Sequence, residues 1–276
     1  MDGQIVKESW NTEGLFDSHA HYFDSRFEGQ ADDLLENGIF GRGVLGVINV
    51  ATDPDNALPC IEQASRHKGM YAAVGIHPCD CKALRGDVNA EVDRIRVLLD
   101  TEEKRCQNKI VALGEIGLDY YWEPIEESLQ KQYFEAQLCL AEELGLPVII
   151  HDREAHGDCF ETVLRHPKVT GVFHSFSGSA EMAKELCRRG WYISFSGVLT
   201  FKNGRKAREV AAIVPTDRML VETDAPYLAP DPFRGRMNHS GLMAYTVGAL
   251  AEIKGLSYVE TVRITAENAK TVFRLS

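Results

Sequence analysis

Six side chains that could bind a metal, His19, His21, Glu115, His151, His174 and Asp224, each stand at the C-terminal edge of an apolar, strand-like run, and they are spread over most of the chain. His19 and His21 are two residues apart, so an extended backbone turns both imidazoles to one side, with Asp17 behind them. Two imidazoles can grip one ion, whereas a single histidine is more often a structural residue. Glu115 lies in Leu113-Gly114-Glu115-Ile116-Gly117, where the flanking glycines would leave room for ions beside the backbone. A buried carboxylate is costly unless paired. Two cations about 3.5–4 Å apart would keep it ionised and let it bridge them; a buried salt bridge is the competing explanation. His151 follows Val148-Ile149-Ile150 and His174 follows Gly171-Val172-Phe173, a natural pair for a second ion. Asp224 follows Leu220-Val221-Glu222-Thr223 and would come beside the first histidines if the eighth strand pairs with the first.

The chemistry expected of this set is hydrolysis. Coordination to a divalent ion lowers the pKa of water toward neutrality and aims a hydroxide at phosphorus or a carbonyl carbon. Glu115 and Asp224 are the catalytic candidates, the first holding the ions together and the second accepting or relaying a proton. Imidazole-rich ligation favours zinc, manganese, iron or cobalt, and the carboxylates leave room for magnesium. The expected cofactor is therefore two divalent ions, zinc, manganese or magnesium.

Candidate substrate-binding groups surround these ligands. His77 follows Val74-Gly75-Ile76 and could contact a phosphate or hydrogen-bond a ligand. Arg153, two residues past His151, suits a phosphate or carboxylate, with a surface ion pair as the alternative. Ser175 and Ser177, in Ser175-Phe176-Ser177-Gly178, could cradle an anion with the amides of a helix start, or simply cap that helix. Asn238 and His239 fall in a loop after the eighth run and could cover the mouth. His67, His156 and His166 read as helix-surface residues. Cys79 and Cys81 have no second cysteine pair to complete a metal site, and we assign them no role.

Residues so far apart in sequence need a fold that brings strand ends together. The apolar runs are Leu15–His19, Val44–Ala51, Met70–His77, Ile110–Ile116, Pro147–His151, Gly171–His174, Trp191–Ser196 and Met219–Thr223. Amphipathic segments alternate with them: Asp55–His67, Asn89–Arg105, Ser128–Leu144, Glu154–His166, Ala180–Arg189 and Arg205–Val214. A last helix opens with Ser257 and Glu260 in capping-box spacing and runs to about Phe273. Continuous Val, Ile and Ala in the runs predicts parallel strands buried on both faces. The α/β class expected is a single (β/α)8 TIM barrel over residues 1–276, with its metal site at the C-terminal face of the strands. An open doubly wound sheet would place a glycine-rich turn after the first strand; Asp17-Ser18-His19-Ala20-His21 stands there instead.

Composition narrows the function further. The chain has 276 residues, 44% of them hydrophobic, and a formal net charge of −11, which argues against wrapping long nucleic acid but leaves a short or terminal substrate open. Positive charge gathers at Lys202, Arg205, Lys206 and Arg208, and at Arg234 and Arg236. No segment has the length of apolar sequence expected of a membrane span, and Met1 to Trp10 lacks an apolar core. Seven cysteines without a regular framework suit reduced thiols. A cytoplasmic protein that does not enter membranes is expected; protein partners are not indicated.

The segments FDSHAH (16–21), VGIHP (74–78), ALGEIGLDY (112–120), LGLPVIIHDREA (144–155), VFHSFSGS (172–179) and VETDAPYLAP (221–230) together resemble the TatD-like metal-dependent hydrolases, or TatD DNases, among the amidohydrolase-type barrels. The resemblance runs nearly end to end. It implies that His19, His21 and Asp224 bind one ion, His151 and His174 the other, and that Glu115 bridges them. It also implies phosphodiester hydrolysis on DNA, commonly from an end; deacylation of D-aminoacyl-tRNA is attributed to relatives. Residues 232–240 read PFRGRMNHS where such proteins usually read PHRGKRNEP, a departure that touches substrate choice and leaves the ligands intact. The function expected is a divalent-metal-dependent deoxyribonuclease or phosphodiesterase acting on short or single-stranded DNA ends. The alternatives are an ester or amide hydrolase such as a D-aminoacyl-tRNA deacylase, and a non-catalytic metal-binding scaffold.

Overall fold

Aliphatic and β-branched residues fill eight short runs, and in the computed structural model, which describes residues 11–84, 87–122 and 126–275, all eight become parallel strands of one sheet in sequential order. They are β1 (Phe16–Ala20), β2 (Gly46–Val50), β3 (Met70–Val74), β4 (Ile110–Asp119), β5 (Val148–Arg153), β6 (Gly171–Phe173), β7 (Tyr192–Phe195) and β8 (Met219–Val221). The sheet curls round until its ends meet. Ala20 bridges Ala225, the His21 N–H donates to the Ala225 carbonyl at 2.7 Å, and the Asp224 N–H donates to the His19 carbonyl at 2.9 Å. This closure makes a TIM barrel and sets His19 and His21 beside Asp224.

The helices are α1 (Ala31–Asp33), α2 (Ala57–Arg66), α3 (Val88–Leu99), α4 (Glu102–Gln107), α5 (Glu127–Leu144), α6 (His156–Arg165), α7 (Ala180–Arg188), α8 (Arg205–Ile213), α9 (Met243–Lys254) and α10 (Tyr258–Val272). Period-two alternation divides each strand between two cores. Val47, Val148 and Ile150 belong to the larger cluster shared with helix residues such as Leu138 and Val163. Ile48, Ile149, Val172 and Leu220 belong to an inner cluster with Ala266, Ala269 and Phe273 of the α10 region, which plugs the barrel. Ser257 caps α10, accepting from the Glu260 N–H at 3.2 Å.

Three features differ from the sequence-based expectation. The segment expected as one helix, Asn89–Arg105, is two, because Thr101 adopts an extended conformation and its hydroxyl caps α4 by accepting from the Lys104 N–H at 3.1 Å. β4 runs on to Asp119 and β5 to Arg153, paired residue for residue through Gly117 and His151. Helix α9 has no counterpart among the expected segments: Met243, Ala244, Val247, Gly248, Leu250 and Ala251 are all buried, so no polar stripe marks it as helical. The reading of Met1 to Trp10 lies outside the described residues. Among the described residues, no helix is long and apolar enough to cross a membrane, and the cysteines carry free thiols.

Candidate metal centre

Ile149 and Val172 point into the barrel, so His151 and His174, each two residues further on, point the same way at its C-terminal mouth. They meet Glu115 there. Glu115 Oε1 lies 2.7 Å from His151 Nδ1 and 2.7 Å from His174 Nε2. Its other oxygen, Oε2, lies 3.4 Å from His19 Nε2 and 3.7 Å from His21 Nε2. Asp224 Oδ1 completes this second group, 3.4 Å from His21 Nε2 and 3.8 Å from His19 Nε2. One carboxylate thus presents one oxygen to each of two histidine pairs.

The outward ring nitrogens show which way the inward ones are charged. His21 Nδ1–H donates to the Val50 carbonyl at 2.6 Å, His151 Nε2–H to Asp119 Oδ2 at 2.9 Å, and His174 Nδ1–H to Glu222 Oε1 at 3.2 Å. Each outer partner can only accept, so in the neutral ring each inner nitrogen carries a lone pair. Lone pairs facing carboxylate oxygens at 2.7 Å repel unless a proton or cation lies between them. His19 Nδ1 is buried without a hydrogen-bond partner. A tetrahedral ion with bonds of about 2.0–2.1 Å needs donors about 3.3–3.4 Å apart, and the His19–His21 Nε2 separation of 3.1 Å and the His21–Asp224 separation of 3.4 Å are close to that. These residues fit divalent ions; among the described residues, potential ligand atoms gather as His19-His21-Asp224, His19-Glu115-His174 and His77-Glu115-His151.

The demand for positive charge also appears in proton affinities. Burial disfavours the charged ring of His174, yet Glu115 and Glu222 raise it well above the usual histidine value. Burial likewise opposes charging His151 and His21, but Asp119 and Glu115 raise the first and Asp224 and Glu115 the second. Burial also opposes ionising Glu115, and the surrounding histidines, His174 foremost, outweigh it, holding the carboxyl well below its usual range. Asp224 is lowered against burial mainly through its hydrogen bond with His21.

The glycines beside Glu115 serve a different purpose from the one expected. A Cβ at Gly117 would sit 2.0 Å from the His151 carbonyl oxygen, and one at Gly114 would sit 2.7 Å from Ile149 Cβ. They admit the backbone of β5 rather than ions. Gly117 also has φ +143°, which side-chain-bearing residues rarely adopt.

The remaining candidates separate clearly. His77, Arg153, Ser175 and Ser177 all line a cavity of about 860 Å³ that opens over Glu115, His151, His174 and Asp224. His77 lies beyond the end of β3; the Cys79 N–H donates to its Nδ1 at 3.1 Å, so Nε2 carries the proton and faces Glu115 Oε1 at 3.6 Å. Burial lowers His77 to about 3, so the ring is a neutral donor. Arg153 packs over Tyr121, its guanidinium carbon 4.0 Å from the ring centroid, and makes no ion pair among the described residues. Ser175 Oγ shares a hydrogen bond with Ser196 Oγ at 2.8 Å, and the helix cap expected of this segment falls to Ser179. Asn238 does not reach the cavity. It is fully buried, donating from Nδ2 to the Thr223 carbonyl at 2.9 Å, and its backbone N–H donates to the Pro226 carbonyl at 3.0 Å. It pins the loop after β8 from beneath. His166, expected on a helix surface, is buried against Glu135 at 2.9 Å.

Asp119 and Glu222, which orient His151 and His174, were not among the sequence candidates. Glu222 had a legible signal, since it stands two residues beyond the inward-facing Leu220. Asp119 had none, because its role depends on β4 continuing past Glu115.

The model of the family described as TatD related DNase matches residues 16–274. The uncharacterized metal-dependent hydrolase YabD of Bacillus subtilis (strain 168) is 36% identical over 265 residues, covering 95% of this chain and all of that protein (100%). The uncharacterized metal-dependent hydrolase YcfH of Escherichia coli (strain K12) is 35% identical, covering 95% of this chain and 96% of that one. The crystal structure of YJJV, a TatD homolog from Escherichia coli K12, superposes with a TM-score of 0.87 at 29% identity, over 95% of this chain and 99% of that one.

Proposed function

Since the chain belongs to the TatD related DNase family, we propose that it is a divalent-metal-dependent hydrolase that cleaves phosphodiesters at short or single-stranded DNA ends. The observation that carries this reading is Glu115, with Oε1 against His151 and His174 and Oε2 against His19 and His21. In this proposal His19, His21 and Asp224 would hold one divalent ion and His151 and His174 a second, with Glu115 as a ligand shared between them; zinc, manganese and magnesium are the candidates. When bound, such ions lower the pKa of water toward neutrality and offset charge on an ester oxygen.

The protein's own groups supply the rest. Asp224, held ionised by His21, is an acceptor for the proton of the attacking water. His77 offers its Nε2–H, and Arg153 its charge, to phosphoryl oxygens. A cavity of about 860 Å³ suits a terminal nucleotide or two rather than a length of duplex. The net charge of −11 fits the same restriction, because few phosphates can be neutralised away from the mouth. We further propose that residues 1–276 act as one barrel domain and that the protein works in the cytoplasm, a reading that the free thiols support.

The test is a metal-reconstituted assay on end-labelled single-stranded DNA and D-aminoacyl-tRNA, with metal content measured on the same samples. Wild type is expected to shorten the DNA, and Glu115→Gln and Asp224→Asn to stay folded by circular dichroism and lose at least about 100-fold in kcat. Cleavage surviving both changes would overturn the mechanism. Turnover of the tRNA ester alone would move the assignment to a deacylase, and metal binding without turnover of either would make the protein a scaffold.

A further inference from the structure

Among the described residues, two solvent-exposed aromatic side chains flank the cavity, one anchored to each half of the ligand cluster. Trp122 and Tyr227 both line it, yet they remain 58% and 47% exposed. Solvent-facing aromatic surface of this size contributes little to the fold, since burial is what stabilises it. Their positions are nonetheless constrained. Asp119 Oδ1 accepts the N–H groups of Tyr121 at 2.9 Å and Trp122 at 3.2 Å, while Oδ2 of the same carboxylate holds His151. Tyr121 meets Trp122 edge-on at an interplanar angle of 90°, and the Arg153 guanidinium covers Tyr121 and lies 5.4 Å from the Trp122 centroid. On the other side the Tyr227 N–H donates to the Asp224 carbonyl at 2.7 Å. Arg26 covers the Tyr227 ring at 3.9 Å, and Asp24 binds both Arg26, at 2.9 Å, and the Tyr227 hydroxyl, at 3.3 Å.

Trp122 is thus tied to the group containing His151, and Tyr227 to the group containing His21 and Asp224. A phosphodiester seated across Glu115 would direct its two nucleosides to opposite walls. We infer that Trp122 and Tyr227 form a two-sided base clamp, each stacking the base on one side of the scissile phosphodiester. The inference rests on the phosphodiesterase reading and adds to it a requirement for two unpaired bases around the cut. Stacking on an aromatic face tolerates any base, and an adjacent arginine adds to it. The clamp therefore selects single-stranded steps without reading their sequence.

The experiment crosses protein variants with abasic substrates. Oligonucleotides carry a tetrahydrofuran abasic residue immediately 5′ or immediately 3′ of the bond cut in the unmodified strand, and KM is measured for wild type, Trp122→Ala and Tyr227→Ala. Each variant should raise KM for unmodified DNA roughly tenfold or more. The Trp122→Ala effect should vanish on one abasic substrate only, and the Tyr227→Ala effect on the other only. Trp122→Phe and Tyr227→Phe retain a ring and should stay within about threefold of wild type. Penalties that persist on both abasic substrates, or an unchanged KM in both alanine variants, would overturn the clamp while leaving the hydrolase intact. Dependence on a single flanking base would also overturn it and point to a nucleoside ester. No cleavage of unmodified DNA by wild type would instead overturn the nuclease reading itself, and the clamp with it.

Discussion

Asp119 and His151 are joined by a 2.9 Å hydrogen bond on the side of the imidazole facing away from Glu115. The carboxylate holds the ring's orientation and turns Nδ1 toward Glu115 Oε1, 2.7 Å away. Asp119→Asn retains the oxygen that accepts from Tyr121 and Trp122 but presents an amide N–H, or a weaker neutral acceptor, to the ring. Metal affinity should fall about 10–100-fold. Titration calorimetry with zinc checks this, and a wild-type affinity in the variant would show that His151 needs no orienting partner.

Chelation should lower thermal stability. Ions that bind only the folded protein stabilise it by about 2.7 kcal/mol at a hundredfold excess over Kd, and a domain of this size shifts about 2–4 °C per kcal/mol. A drop of roughly 5–10 °C on adding EDTA is expected, reversed by excess metal. Calorimetric scans with unchanged Tm would argue that lone pairs at the mouth attract no ion.

Replacing Gly117 by Ala should be among the most damaging single changes. The new Cβ would lie 2.0 Å from the His151 carbonyl oxygen at a backbone φ of +143°. Both β4–β5 pairing and the placement of His151 depend on that contact, so a loss above about 3 kcal/mol is expected. Urea unfolding curves give the comparison with wild type.

Asn238→Ala should act on stability rather than on substrate. Removing Nδ2 leaves the buried Thr223 carbonyl without that donor, at a cost of about 1–3 kcal/mol. KM for an oligonucleotide should change less than twofold at a temperature where the variant is folded. A large KM effect without destabilisation would place this side chain in contact with substrate after all.

His151 and His174 could be placed from the chain alone, because period-two geometry carries them inward from Ile149 and Val172 whatever surrounds them. The strand runs and the choice of His, Glu and Asp at their ends are local properties of that kind, and they sufficed to read a parallel barrel with these side chains gathered at its mouth. Tertiary structure decided what depends on partners distant in sequence. Only the continuation of β4 beside β5 makes Asp119 a hydrogen-bond partner of His151, and only the loop's path under Thr223 takes Asn238 out of the cavity. Helix α9, buried nearly all round, lost the alternation that would have revealed it. Periodicity records which face of an element meets the interior; which residues then touch is set by packing between elements, and a linear pattern carries no trace of that.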